Sequence, residues 1–170
     1  MKTIILCPGP SLAELSAVPK ADLVIGVNRV ATHFIVDVWA CIDHTLYSKI
    51  DHEVLGNPEL ITLREDRKRH SKRPGTDIEE LEEWLPHHPH LGGIRWAMFS
   101  MTAAMVYAAW KGATSIDIYG CDWFVDAPDF DGKTLETNRR TAERFELERS
   151  IYTATVDKLK LEVTRHGLDG

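Results

Sequence analysis

The stretch Lys2-Thr3-Ile4-Ile5-Leu6-Cys7-Pro8-Gly9-Pro10-Ser11-Leu12 decides the architecture. Residues 2–7 form a short, nearly unbroken apolar run, the pattern of a strand covered on both faces within a parallel sheet. Pro8-Gly9-Pro10 stops that run, and Ser11 followed by Glu14 reads as a capping box that opens a short helix. A tight turn between a buried strand and a helix aims backbone N–H groups and a positive helix end at one point, which suits a phosphate. In that reading Gly9 lets a ligand approach the backbone, Pro10 shapes the turn, and the Ser11 hydroxyl donates to the phosphate. The plain alternative is an ordinary strand-to-helix turn with Ser11 as its cap.

Working outward, the same alternation recurs. Residues 23–27 form a second strand that delivers Asn28 and Arg29, and residues 37–42 a third that delivers Asp43 and His44. Residues 60–63 are a candidate fourth strand. Residues 64–77 are polar and basic, with Arg64, Arg67, Lys68, Arg69, Lys72 and Arg73, and read as an exposed loop. Residues 77–85 read as a short acidic helix. The strongest helix-then-strand signal runs from Ser100 to Lys111, rich in alanine, with Gly112 where a helix-terminating glycine belongs and a strand over residues 115–120. A long amphipathic helix over residues 138–159 and a last strand at 161–164 complete the chain. Strands separated by helices predict an α/β, Rossmann-like parallel sheet with helices on both faces, in one compact domain spanning residues 1–170.

Composition bounds the function. Hydrophobic residues make up 44% and charged residues 27%, as in a globular domain. A net charge of -6 argues against broad, nonspecific DNA binding, which depends on neutralising phosphates. No apolar run approaches the roughly 18 residues of a membrane span, and the N-terminus is too short for a signal peptide, so the expectation is a cytoplasmic protein. The three cysteines, Cys7, Cys41 and Cys121, lack Cys-x-x-Cys spacing and read as reduced, buried thiols. Trp84 and Trp96 are candidate interface residues for a homo-oligomer, a core role being the alternative.

In open parallel sheets ligands bind beyond the carboxyl ends of the strands, near the switch point. Gly9, Ser11, Asn28, Asp43 and Asp122 all wait at such ends. Asn28 offers a donor and an acceptor to a ribose or base, and also suits a turn. Arg29 can pair with a phosphate or point to solvent. Asp122, with Asp126, Asp129 and Asp131, makes an acidic cluster able to hold Mg²⁺, although Asp126 to Asp131 read better as a solvated loop. His87, His88 and His90, interrupted by Pro89, do not form a zinc pattern.

These motifs together resemble a known family. Gly9-Pro10-Ser11-Leu12 after the first strand resembles the Gly-Asn-Gly-Pro-Ser-Leu turn of the bacterial sialyltransferases of glycosyltransferase family 42. Val27-Asn28-Arg29 is similar to that family's Cys-Asn-Gln segment. Ser100, Gly112, Gly120 and Asp122 fall on matching positions of its Ser-Gly, alanine-rich helix, Gly, strand, Gly-x-Asp-Phe block. The same signature is shared by archaeal pterin pyrophosphokinases and small phage-encoded proteins. The resemblance implies that Gly9, Ser11 and Asn28 hold the nucleotide of a CMP-sugar-like donor, with Ser100 and Asp122 near the site; Pro10, Arg29 and Ser100 complete the candidate nucleotide-binding set. Pro8 replaces the family's asparagine, Met101 its glycine, and residues 123–165 contain no histidine where the family places its catalytic one.

The leading expectation is therefore a nucleotide-sugar-dependent glycosyltransferase needing no cofactor, with Asp43, His44 or Asp122 serving the acceptor or its proton. The partners would be a nucleotide or nucleotide-sugar and an acceptor that the sequence does not define. One alternative is a Mg²⁺-dependent diphosphotransferase of the 6-hydroxymethylpterin pyrophosphokinase type, with Asp43 and Asp122 as metal ligands. The other is a non-catalytic protein that binds a nucleotide, motivated by the missing histidine.

Overall fold

A computed structural model describes residues 1–63, 66, 74–84, 93–123, 128–133 and 141–168. β1 (Lys2–Leu6) runs between β2 (Leu23–Val27) and β6 (Ser115–Tyr119) in a seven-stranded sheet. The order is β5-β4-β3-β2-β1-β6-β7, with β3 at Val38–Ala40, β4 at Glu59–Thr62, β5 at Gly75–Asp77 and β7 at Glu162–His166. Every strand pair is parallel, and Ile5 of β1 sits in register with Ile25 on one side and Ile118 on the other. The chain steps outward from β1 to β5 and then returns to place β6 beside β1. The switch point of this Rossmann-like α/β fold therefore lies between β1 and β6.

Period-2 alternation sorts the core. Ile4 and Leu6 face Leu12 and Val30, whereas Ile5 and Cys7 face the helical layer that holds most of the buried residues. On the first face the connections are short: 3-10 turns at Pro10–Glu14 and Asn28–Thr32, and α1 (His44–Lys49), which packs Leu46 and Tyr47 on Trp39 and Leu60. The second face carries α2 (Ile78–Trp84), α3 (Ser100–Trp110) and α4 (Ala142–Leu159). Nine residues of α3, Ser100 to Ala108, are buried. A helix apolar all round belongs inside, and its alanines let it lie close on the sheet. Lys111 caps it and Gly112 follows at φ +87°, with Ala113 N–H donating to Ala108 O and Gly112 N–H to Ala109 O, both at 2.9 Å. This is the Schellman closure that glycine makes cheap.

Several expectations change. Ser11 is not an N-cap: Gly9 occupies that position, Pro10 starts the turn, and no side-chain cap bond forms. The turn is 3-10 rather than α because it lasts only five residues before Leu15 becomes extended. Gly75–Asp77, expected within the exposed loop, is the edge strand β5 with Thr76 and Asp77 buried, and Asp66 is buried too. The basic residues of that run and His87, His88 and His90 lie outside the described residues. Trp96 is a core residue at 2% exposure and Trp84 packs against the same cluster, so neither is an exposed interface tryptophan. The last helix starts at Ala142, where the Thr141 hydroxyl accepts from Arg144 N–H at 3.2 Å, rather than at 138. All three cysteines are free and buried, as expected. Among the described residues no helix is long and apolar enough to cross a membrane.

Candidate functional site

A cavity of about 260 Å³ opens where β1, β2, β3 and β6 end, closed above by the start of α3 and the first two turns of α4. Gly9, Asn28, Asp43, Ser100 and Asp122 line it together. Residues spread over more than a hundred positions thus meet at the switch point, where the strand pattern placed them. Pro10, Ser11, Arg29 and His44 are not among its lining residues.

The β6 side is a closed hydrogen-bond network. Asp122 accepts from Ser11 N–H at 2.6 Å, from the Ser11 hydroxyl at 2.7 Å and from Leu168 N–H at 2.6 Å. Both donors that the turn was expected to offer a phosphate are thereby given to this carboxylate. Gly9 N–H donates to Gly120 O at 2.8 Å, and a Cβ at Gly9 would strike Gly120 O and the Asp122 side chain. The glycine thus serves the close approach of β1 and β6.

Arg29 is buried, and its Nη2 pairs with Asp129 Oδ2 at 2.7 Å and Asp131 Oδ1 at 2.8 Å. It fastens the turn after β2 to the segment at 128–133, which also gives Phe130 N–H to Pro8 O at 3.1 Å. Asp129 and Asp131 are accordingly counter-ions with side chains 1% and 5% exposed, not part of a solvated loop. Asp126 lies outside the described residues.

The β2 and β3 side is less occupied. Asn28 adopts φ +55°, a left-handed conformation that asparagine tolerates better than most residues. Its carbonyl accepts from Trp39 Nε1 at 2.9 Å, while its Oδ1 is buried with no partner among the described residues. Asp43 caps α1 by accepting from Leu46 N–H at 3.0 Å. His44 Nδ1 lies 2.8 Å from Oδ1 of the buried Asp66, a partner with no local sequence signal. Ser100 Oγ accepts from Ile42 N–H at 3.1 Å and so ties α3 to the end of β3.

Sequence reasoning missed the contributions of α4 and of the sulfurs. Arg144 and Glu148, one turn apart, line the cavity, and the Arg144 guanidinium lies 5.5 Å from the Phe99 ring. Their i, i+4 spacing on one helix face was the available signal. Cys7, Met101 and Cys121 line it as well. Asp43, Asp122 and Glu148 bring negative charge, offset by Arg144 and by the positive end of α3. Among the described residues no three His, Cys, Asp or Glu side chains gather to hold a metal ion. Comparison of the chain with family models, curated proteins and solved structures found no match.

Proposed function

We propose that this cavity binds a nucleotide and that the chain is a nucleotide-sugar-dependent glycosyltransferase with a CMP-sugar-like donor. The observation that carries the nucleotide reading is Asn28, held left-handed at the end of β2 with its Oδ1 buried and unpartnered among the described residues. A buried acceptor without a donor costs about 1–3 kcal/mol, which a ribose hydroxyl or a base amino group repays on binding. The α3 N-terminus and Arg144 supply positive potential for phosphate. The match of Gly9-Pro10-Ser11-Leu12, Asn28 and the Ser100-to-Asp122 block to the sialyltransferase motifs supports cytidine as the base.

A second reading, binding without turnover, draws on the occupied state of the expected catalytic groups. Asp122 holds Ser11 and Leu168, and Asp43 caps α1. The Mg²⁺-dependent diphosphotransferase reading needs Asp43 and Asp122 as ligands, and the same hydrogen bonds compete with that role. His44 pairs with Asp66 outside the cavity lining, so the proton-moving role proposed for it would require a substrate that extends beyond the cavity.

A thermal-shift screen with CMP, CDP, UDP, GDP and ATP, each with and without Mg²⁺, tests all three. A ligand at a hundred times its Kd stabilises by about 2.7 kcal/mol, so a cytidine nucleotide is expected to raise Tm without metal. A shift that needs both ATP and Mg²⁺ replaces this reading with the diphosphotransferase. No shift with any nucleotide removes the nucleotide reading altogether. Hydrolysis or transfer of a CMP-sugar then separates the transferase from the binder.

A further inference from the structure

We propose that the floor of the cavity is a site for one soft, closed-shell monovalent metal ion, Cu(I) or its mimic Ag(I), held by the sulfurs of Cys7, Cys121 and Met101. The three come from separate elements: Cys7 follows β1, Cys121 follows β6 and Met101 lies in the first turn of α3. Cys121 S–H donates to the Met101 sulfur at 3.1 Å, and Cys7 packs in the same buried cluster and lines the same cavity. All three are nearly buried, yet all line the cavity, which gives an ion a route in.

The donor set selects the ion. Two thiolates and a thioether are soft ligands, suited to Cu(I). Structural zinc takes four nitrogen or sulfur donors, and an iron–sulfur cluster takes four thiolates. Among the described residues no third His, Cys, Asp or Glu joins the two cysteines. With metal–sulfur distances of about 2.3 Å, a trigonal ion sets its sulfurs about 4 Å apart. The Cys121–Met101 pair, now at 3.1 Å, must open by about 1 Å, which the flexible methionine side chain allows.

Charge and protons balance as a ligand exchange. The ion enters, both S–H bonds give their protons to solvent, and a singly negative two-thiolate complex remains. It forms beside the N-terminal turn of α3 and near Arg144, whose positive charge favours thiolate, and near Asp43, Asp122 and Glu148, whose negative charge opposes it. Release of two protons makes the apparent affinity rise about 100-fold per pH unit.

Cys41 supplies an internal control. It packs on the opposite face of the sheet with Trp39 and α1, its Sγ 3.8 Å from Asp43 O. The reduced full chain is titrated anaerobically with Cu(I) against a chromogenic Cu(I) chelator. One Cu(I) per chain is expected to leave the chelator, with the two-proton pH slope. Cys7→Ser and Cys121→Ser abolish this, Met101→Leu weakens it and Cys41→Ser leaves it unchanged. No withdrawal of Cu(I), equal withdrawal by Cys7→Ser, or loss in Cys41→Ser overturns the site. Because serine in the core can disturb folding, X-ray absorption at the copper edge is read on the unmutated protein. Three sulfurs at about 2.3 Å are expected. Fewer sulfurs, or nitrogen and oxygen neighbours, overturn the assignment independently of any variant.

Discussion

On the β6 rim of the cavity, Asp122 gathers the Ser11 amide, the Ser11 hydroxyl and the Leu168 amide, while on the β2 rim Asn28 leaves its Oδ1 buried without a partner among the described residues. Arg29, directly after Asn28, is mixed: its Nη2 is spent on Asp129 and Asp131, while its Nε is buried without a partner among the described residues. Small polar residues at strand ends thus do two different jobs within one site. Closed networks fix where the loops lie, and the open group is what a ligand can use. The difference matters because a buried polar atom is either satisfied by the protein or costs free energy until something else satisfies it.

The sharpest way to break this comparison is to open the closed side. Arg29→Ala removes the Arg29 cation from beside two nearly buried carboxylates, and the loss is expected at about 3–5 kcal/mol in urea unfolding. A loss below about 1 kcal/mol would place the pair among exposed ion pairs and dissolve the distinction. Asp122→Ala comes next. It orphans the Ser11 and Leu168 amides, at about 1–3 kcal/mol, with an equal fall in stability whether or not nucleotide is present. If the variant instead keeps its Tm and loses only nucleotide binding, Asp122 is a ligand-contacting group and the rim is not a structural clamp.

Asn28→Gly sharpens the open side. Glycine keeps the left-handed backbone that Asn28 adopts at φ +55°, and removes only the amide. Without ligand, stability is expected to rise, because the orphaned acceptor's cost of about 1–3 kcal/mol is removed and glycine's extra backbone freedom takes back only about 0.5–1 kcal/mol of it. The nucleotide concentration giving a half-maximal thermal shift rises about tenfold, the worth of one hydrogen bond of about 1.4 kcal/mol. Unchanged nucleotide binding would show that Asn28 is only a turn residue.

The strand ends were legible because burial on both faces of a parallel sheet writes apolar runs, and breakers mark where they stop. That pattern placed Gly9, Asn28, Asp43 and Asp122 around one point. What each polar group does there was not legible. Ser11 is taken by a residue 111 positions away and Arg29 by one 100 positions away, contacts that leave no local trace. β5 was missed because three residues beginning with glycine give no alternation to read, and its partner Leu60 supplies the pairing. The sequence leaves Trp96 open between core and interface because a tryptophan in an irregular segment carries no period that tells the two apart, and the structure places it in the core. The sulfur cluster was invisible for the same reason as the Asp122 clamp: it forms only when β1, β6 and α3 converge.

The smallest effect concerns a closed network at the sheet's far side. Asp117 on β6 hydrogen-bonds His166 at 3.0 Å and pairs with Lys2 at 3.1 Å, while His166 stacks on Tyr119 at 4.3 Å. The hydrogen bond to His166, and then the Lys2 contact, hold the Asp117 carboxyl below its ordinary 3.8. A carboxylate depressed in the folded state stabilises fully above its unfolded value and loses that contribution as pH falls through the folded one. The parent is therefore expected to lose stability relative to Asp117→Asn only as pH drops below about 4, with a constant difference above it. The carboxyl is half-buried and its partners His166 and Lys2 are exposed, so screening keeps that difference under about 1 kcal/mol. Urea midpoints of the two proteins across the acid range give the answer. If they run parallel, this cluster is a surface contact with no differential hold on the proton; if they converge in acid, a closed network acts at the sheet edge as it does at the cavity rim.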